Sequence, residues 1–312
     1  MHPASEKILV IKHGALGDVI QSMDGFASVR AGHPTAHISV LTTPPYEALL
    51  SASPYFNAVL LDSRAPVWNL LAWWRLRAML KHGDWTRVYD FQCSQRTATY
   101  FRIYFKDKQK ACDFIGKAKG TSHRLPDLTG LTTSQRGLAV AKRGGCAPIT
   151  PKFDWLTKSP HPLPAKPYAV FAAGSSPIKP SKRWSPDHYA SVAEAVWQQG
   201  IRPILVGTTS EAEVAEAILA RAPFCLSLLG KTDLFGLAKL FHHAEFTLGN
   251  DTGPMFIAAR MPSPSLTLMG GDTDPLLSAP AGTRAHWLKT DDLKTLTPER
   301  VLKRLAEIGG LK

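Results

Sequence analysis

Cysteine is scarce in this chain. Its 312 residues include four, Cys93, Cys112, Cys146 and Cys225, and no two of them form a C-x-x-C pair. That spacing argues against a disulfide scaffold or a cysteine-rich zinc module and fits a reduced, cytoplasmic protein. Long apolar runs are missing too. No stretch approaches the ~18 consecutive apolar residues of a membrane-crossing helix. The polar start, Met1 to Lys7, leads only into Ile8-Leu9-Val10-Ile11, too short for the core of a secretion signal. The expectation is a soluble or peripherally bound protein. Acidic residues are also outnumbered: Asp and Glu total 25 against 37 Lys and Arg, a formal net charge of +12. Such a balance implies an acidic partner, whether nucleotide phosphates, nucleic acid or an anionic membrane face. Charge alone does not choose among these.

What is present is a regular alternation of apolar strand-like runs and helix-length segments. In the first half, strands are expected near Lys7–Lys12, His37–Leu41, Ala58–Leu61, Arg87–Phe91 and Ala111–Ile115. Helices fall between them, as at Asp18–Arg30 and Val67–Lys81. In the second half, strands are expected near Tyr168–Ala172, Arg202–Val206, Phe246–Leu248, Ser265–Leu268 and Ala285–Leu288. Helices are expected near Pro186–Gln199, Ser210–Ala220, Leu234–Phe241 and Pro298–Ile308. Alternation of this kind makes parallel sheets covered by helices on both faces. Prolines cluster between the halves, at 148, 151, 160, 162, 164 and 167. That density suits neither helix nor central strand and reads as a linker. The expected organisation is an N-terminal domain over 1–150, a linker over 151–167 and a C-terminal domain over 168–312. Ligands in such domains bind at the carboxyl ends of the strands.

Several loops after expected strands carry chemistry. Gly249-Asn250-Asp251-Thr252-Gly253-Pro254 reads as strand, tight loop and helix start. The backbone N–H groups of Thr252 and Gly253 are free to point at a phosphate, and Pro254 fits the first helical turn. An ordinary helix start capped by Asn250 or Asp251 is the competing reading. His13-Gly14-Ala15-Leu16-Gly17-Asp18 follows the first strand and brings a carboxylate, Asp18, to a helix start. Asp18 is either an N-cap or a base. Ser175 and Ser176, with Lys179, Lys182 and Arg183, follow another strand and make a phosphate-friendly loop. Glu211, after Gly207-Thr208-Thr209-Ser210, stands where a carboxylate accepts ribose hydroxyls in nucleotide-binding folds, though Ser210 or Glu211 could equally cap the helix that follows.

Three look-alikes are set aside. Gly230-Lys231-Thr232 ends like a phosphate-binding P-loop, but its upstream glycine position holds Cys225. Asp272-Thr273-Asp274 lacks a supporting carboxylate cluster for a metal. His242 and His243 are adjacent, so on a helix they point apart. No metal is expected.

Taken in order, these segments resemble glycosyltransferase family 9, the lipopolysaccharide heptosyltransferases. The resemblance rests on G-A-L-G-D-V-I (Gly14–Ile20), Y-D-F-Q (Tyr89–Gln92) and K-R-W-S-P-D-H-Y (Lys182–Tyr189). It continues through V-G-T-T-S-E-A-E (Val206–Glu213), L-G-K-T-D-L (Leu229–Leu234) and G-N-D-T-G-P-M (Gly249–Met255). It implies an α/β, GT-B architecture, two Rossmann-like doubly wound domains facing a central cleft. It also implies an inverting sugar transfer, with the acceptor on the N-terminal domain and a nucleotide-sugar, an ADP-heptose in this family, on the C-terminal one. The nucleotide-sugar is a co-substrate, and no separate cofactor is implied. On this resemblance Asp18 is the base and Lys182 the cation at the diphosphate. Ser175, Ser176, Thr252 and Gly253 are hydrogen-bond donors to the donor phosphates. Asp251 contacts the transferred sugar, Glu211 the ribose, and Gly230, Lys231 and Thr232 lie near the nucleobase. Two positions depart from the family. Phe256 stands where a histidine is usual, and Gly270-Gly271-Asp272-Thr273-Asp274-Pro275 replaces F-G-P-T-D-P.

The implied acceptor is an anionic glycolipid, which suits a +12 protein working at the cytoplasmic surface of the inner membrane. Nucleic acid is not an expected partner. Acceptor contacts are expected from Gln92, Gln95, Arg96 and Arg102, with His123, Arg124 and Arg136 behind them. The segment Val67 to Lys81 carries Trp68, Trp73 and Trp74 beside Arg75 and Arg77. Being apolar round much of its circumference, it is expected to cover the first sheet with its tryptophans inward rather than to meet a membrane. Two other functions remain open from the residues: a different GT-B enzyme such as a nucleotide-sugar 2-epimerase, and a non-enzymatic basic binding protein.

Overall fold

The computed structural model describes residues 6–108, 112–174 and 180–311. The chain divides into two compact units, Met1–Lys152 and Phe153–Lys312. The first holds strands β1 (Lys7–Ile11), β2 (His37–Thr42), β3 (Ala58–Leu61), β4 (Arg87–Asp90), β5 (Asp113–Gly116) and β6 (His123–Arg124). The second holds β7 (Tyr168–Ala172), β8 (Arg202–Leu205), β9 (Leu226–Ser227), β10 (Thr247–Asn250), β11 (Ser265–Met269) and β12 (Ala285–Lys289).

Every pairing in both sheets is parallel. The orders are β3-β2-β1-β4-β5-β6 and β12-β11-β10-β7-β8-β9. These are the same topology, since within each unit the first strand lies between the second and the fourth. The expected α/β class, two Rossmann-like doubly wound domains, is therefore what the chain forms. The central strands are short apolar runs, as burial on both faces requires. Ile8 to Ile11 and Tyr168 to Phe171 are wholly buried. Each unit has its own core. Leu9, Ile11, Val88, Tyr100 and Phe114 belong to the first, and Phe171, Trp184, Tyr189, Phe246 and Leu268 to the second.

Local differences from the sequence reading have identifiable causes. The helix expected over Asp18–Arg30 is two helices, Leu16–Gln21 and Met23–Gly32. Ser22 separates them, its hydroxyl donating back to the Asp18 carbonyl at 2.7 Å, a contact known to bend helices. The helix expected from Val67 starts at Leu70, where Asn69 caps it by accepting from the Ala72 N–H at 3.1 Å. The proline-rich stretch packs on the second unit, where Lys239 Nζ donates to the carbonyls of Ser159 and His161, each at 2.8 Å.

The tryptophans of the 67–81 segment do not all turn inward. Trp73 packs against the first core, but Trp68 is 79% exposed and Trp74 65%. Trp68 precedes the helix, and helical periodicity separates Trp73 from Trp74. Trp73, Leu76 and Leu80 share the inner face, whereas Leu70 and Trp74 lie four residues apart on the outer one.

Candidate functional site

In each sheet the strand order reverses beside the first strand, so the crevice between β1 and β4, and that between β7 and β10, are where a ligand is expected. In the first unit β1 ends in Lys12-His13-Gly14. Gly14 has φ +137°, and a Cβ there would stand 2.4 Å from the Tyr46 ring, so only glycine fits this turn. The chain then enters the helix Leu16–Gln21, whose first turn carries Asp18. Thr133, at the start of the helix Thr133–Arg143, donates its hydroxyl to Asp18 Oδ1 at 3.1 Å.

Asp18 lines a cavity of about 330 Å³ together with Lys12, Gln92, Lys117, Thr133 and Arg136. Three cations thus surround one half-buried carboxylate. Lys12 is 5% exposed. Burial lowers its pKa, while Asp18, Cys93 and Asp90 pull the other way. Lys12, Lys117 and Thr133 were not legible as site residues. Lys12 sits at the end of an ordinary strand, Thr133 reaches Asp18 only through the fold, and Lys117 joins it only as a lining residue of the same cavity.

The loop after β4 is held by Asp90, whose Oδ1 accepts from the N–H groups of Gln92 (3.1 Å) and Cys93 (2.9 Å). Complete burial pushes the Asp90 carboxyl up to about 6, against the N–H bonds that favour its charged form. Gln92 Oε1 accepts from the His13 N–H at 3.0 Å, tying this loop to the β1 loop. Next to it lies a second cavity of about 450 Å³, lined by Gln95, Arg102, Lys117, Lys119 and Arg124. Gln92 and Gln95 therefore face open, basic space.

Arg96 does not. Its guanidinium donates to Ala65 O at 2.9 Å, to Asp62 Oδ1 at 3.3 Å and to the Tyr100 hydroxyl, and it lies 4.8 Å over the Trp73 ring. Asp62 also stands 3.2 Å from His13 Nε2 and accepts from Tyr100. Burial alone would raise the Asp62 carboxyl; contacts from His13, Tyr100 and the Arg64 N–H outweigh it and hold the group well below the usual carboxylate range. The Asp62 cluster braces the His13 turn from behind.

In the second unit, Asn250 ends β10 and is fully buried. It does not cap the next helix. Its Nδ2 donates to Ala173 O (2.7 Å) and Gly174 O (3.2 Å), and its Oδ1 accepts from Trp184 N (3.2 Å) and the Tyr189 hydroxyl (3.0 Å). Four bonds thus tie β10, the end of β7 and the Trp184 segment together. Asp251, next in sequence, pairs with the Lys182 ammonium and accepts from Thr273 Oγ1 at 3.3 Å. Thr252 is the N-cap of the helix Gly253–Ala258, which has no side-chain cap among the described residues. Phe256 is half-buried within it. Ser175 and Ser176 lie outside the described residues.

Glu211 lies at the carboxyl ends of β7 and β8. Its Oε2 accepts from the Thr208 N–H at 2.6 Å. A Cβ on Gly174 would stand 1.8 Å from one carboxylate oxygen and a Cβ on Gly207 2.4 Å from the other, so the carboxylate sits between two bare backbones. Gly230, at φ +65°, donates its N–H to Gly207 O at 2.8 Å. That bond brings Gly230 and its exposed and half-exposed neighbours Lys231 and Thr232 beside the Glu211 loop. Lys182, Asp251, Glu211 and the Gly230 loop thus share one edge of one sheet. Asp18, Gln92 and Gln95 share the corresponding edge of the other.

Residues 117–304 match the family model for glycosyltransferase family 9 (heptosyltransferase). Lipooligosaccharide heptosyltransferase 2 of Haemophilus influenzae is 30% identical over 169 residues, 47% of this chain and 48% of that protein. The match thus spans about half the length of that relative. The lipopolysaccharide core heptosyltransferase OpsX of the same organism is 23% identical over 292 residues, covering 89% of this chain and 82% of its own. Among solved structures, E. coli heptosyltransferase WaaC with ADP superposes with a TM-score of 0.78 at 20% identity, over 97% of this chain and 99% of that one. That last likeness is one of fold.

Proposed function

The chain belongs to glycosyltransferase family 9, and on that premise we propose that it is an inverting transferase moving heptose from ADP-heptose onto an anionic glycolipid of the lipopolysaccharide core. The observation that carries this reading is the cavity that sets Asp18 among Lys12, Lys117 and Arg136. The cations suit an acceptor bearing carboxylates or phosphates. The carboxylate suits the one proton transfer the reaction needs.

In that reaction the acceptor hydroxyl attacks the anomeric carbon of the donor sugar. Its proton passes to Asp18 as the new C–O bond forms. Thr133 steadies one carboxylate oxygen and leaves the other for the substrate. The bond to the diphosphate breaks on the opposite face, so the anomeric configuration inverts. The departing nucleoside diphosphate gathers negative charge, which needs cations and N–H donors already in place. Lys182 and the N–H groups of Thr252 and Gly253 fill that role, and Asp251 orients the sugar. Glu211 follows the second strand of its sheet, the place from which a carboxylate binds ribose hydroxyls in Rossmann-type sites. Gly230, Lys231 and Thr232 border the nucleobase. Ser175 and Ser176 complete the phosphate loop on the sequence pattern alone. The named relatives' activities, and the ADP bound to the E. coli structure, support this choice of sugar and nucleotide.

A thermal-shift panel of ADP-, GDP- and UDP-sugars tests the donor, because a ligand that binds only the folded state raises the melting temperature by mass action. Stabilisation by the ADP-sugar over the other two is expected. Equal indifference to all three would end the proposal.

A further inference from the structure

We infer that the exposed segment from Val67 to Trp74 is a docking element for an anionic lipid bilayer, which brings the acceptor cavity of the first unit to the membrane surface. The inference deepens the proposed reading, on which the acceptor is a glycolipid, and it is tested apart from it. Val67, Trp68, Leu70, Leu71 and Trp74 form a run of large apolar side chains turned to solvent, an arrangement soluble proteins rarely leave without a partner. Tryptophan is the side chain best suited to the boundary between headgroups and hydrocarbon.

Charge identifies the partner. Arg64, Arg75 and Arg77 are exposed on either side of this segment, and the sequence from Ser63 to His82 contains no Asp or Glu. Apolar, aromatic and purely basic together fit an interfacial helix on acidic lipid. The apolar surface also continues into the body of the unit, through a groove of about 320 Å³ lined by Leu61, Leu71, Leu76 and Met79, with Asp62 and Arg75 among its polar residues.

Placement gives the element its purpose. It begins just past the carboxyl end of β3, on the same edge of the parallel sheet as Asp18 and Lys12, which follow β1. Arg96 ties the two regions within this unit. It bonds Ala65 and Asp62 at the root of the element, and its neighbour Gln95 lines the second basic cavity. A lipid anchored in the bilayer would therefore present its polar head beside the cations that line these cavities.

Vesicle flotation tests this with the full chain and no nucleotide. Vesicles of phosphatidylcholine alone are compared with a three-to-one mixture of phosphatidylcholine and phosphatidylglycerol. Co-flotation with the acidic vesicles only is expected. Combined Trp68→Ser, Leu70→Ser, Leu71→Ser and Trp74→Ser substitution should lower partitioning at least about tenfold, and so should Arg75→Glu with Arg77→Glu. Brominated lipids should quench wild-type tryptophan fluorescence, and the quenching should fall in a milder Trp68→Phe, Trp74→Phe variant if the serine protein does not fold. Three results overturn the inference: wild type that ignores acidic vesicles, serine and glutamate variants that bind as wild type does, or a solution dimer that the serine variant dissociates while neither form floats. Stabilisation by ADP in the same variants reads the donor site independently, so loss of docking and loss of the proposed activity are distinguishable.

Discussion

Lys182 and Asp251 close on one another as an ion pair at the carboxyl edge of the second sheet, 69 residues apart in sequence. Both side chains are largely shielded from water, with relative exposures of 18% and 7%. The cation proposed to meet the departing diphosphate is therefore already held in place. Replacing it leaves a shielded carboxylate without its partner. Lys182→Ala is expected to lower kcat by ~10²–10³, the usual loss for one charge-stabilising group. It should also lower stability by ~1–3 kcal/mol, the cost of leaving such a group unpaired. Steady-state kinetics and a denaturant titration check the two effects separately. A variant with normal kcat would remove Lys182 from the leaving-group role.

Asp18→Asn keeps the size and the Thr133 contact of the carboxylate but cannot take a proton. Transfer should fall by ~10²–10⁴ in kcat, the range for losing a general base. Stabilisation by ADP should be unchanged, because Asp18 belongs to the other unit. Transfer at the wild-type rate would mean that the base lies elsewhere.

Glu211 offers a steric test of the ribose assignment. A methyl group at Gly174 would stand 1.8 Å from its carboxylate and must push it aside. The end of a flexible side chain can yield, so Gly174→Ala should fold. Its affinity for ADP, measured by calorimetric titration, should drop about tenfold, equivalent to ~1.4 kcal/mol. Glu211→Gln should weaken ADP in the same direction. If both bind as wild type does, the carboxylate does not touch the nucleotide.

Asp90 should make stability depend on pH with an unusual sign. Its carboxyl is raised to about 6 in the folded chain, so the folded state holds the proton more tightly than the unfolded one. Wild type should therefore lose stability relative to Asp90→Asn as pH rises from about 4 through 6, and the difference should level off above that. The interval from about 4 to about 6 caps the effect at about 3 kcal/mol. Urea titrations of both proteins at pH 4 and pH 8 measure it. Curves that stay parallel would show that Asp90 titrates normally.

How much of this was readable in advance divides along physical lines. The strands announced themselves because a parallel strand buried on both faces must be a short, unbroken apolar run, as Ile8–Ile11 and Tyr168–Phe171 are. Asp18, Glu211 and Asp251 were readable because each follows such a run. Lys12 was not, since nothing in the sequence tells a lysine facing a cavity from one that merely ends a strand. Thr133 reaches Asp18 from 115 residues away, a relationship only the fold creates. Arg96 looked like its neighbour Gln95, yet turns to Asp62 and the Trp73 ring. The outward turn of Trp74 was hidden for a different reason. Apolar residues all round a helix leave periodicity silent about which of them the core will take.

The two units keep a core each, one around Tyr100 and Phe114 and one around Trp184 and Phe246. Separate cores allow separate cooperativity. Heating can then produce two calorimetric transitions rather than one, and a ligand moves only the transition of the half that holds it. A nucleotide that lifts one heat-capacity peak and leaves its companion in place would say which Rossmann-like half had received it, before any sugar is transferred.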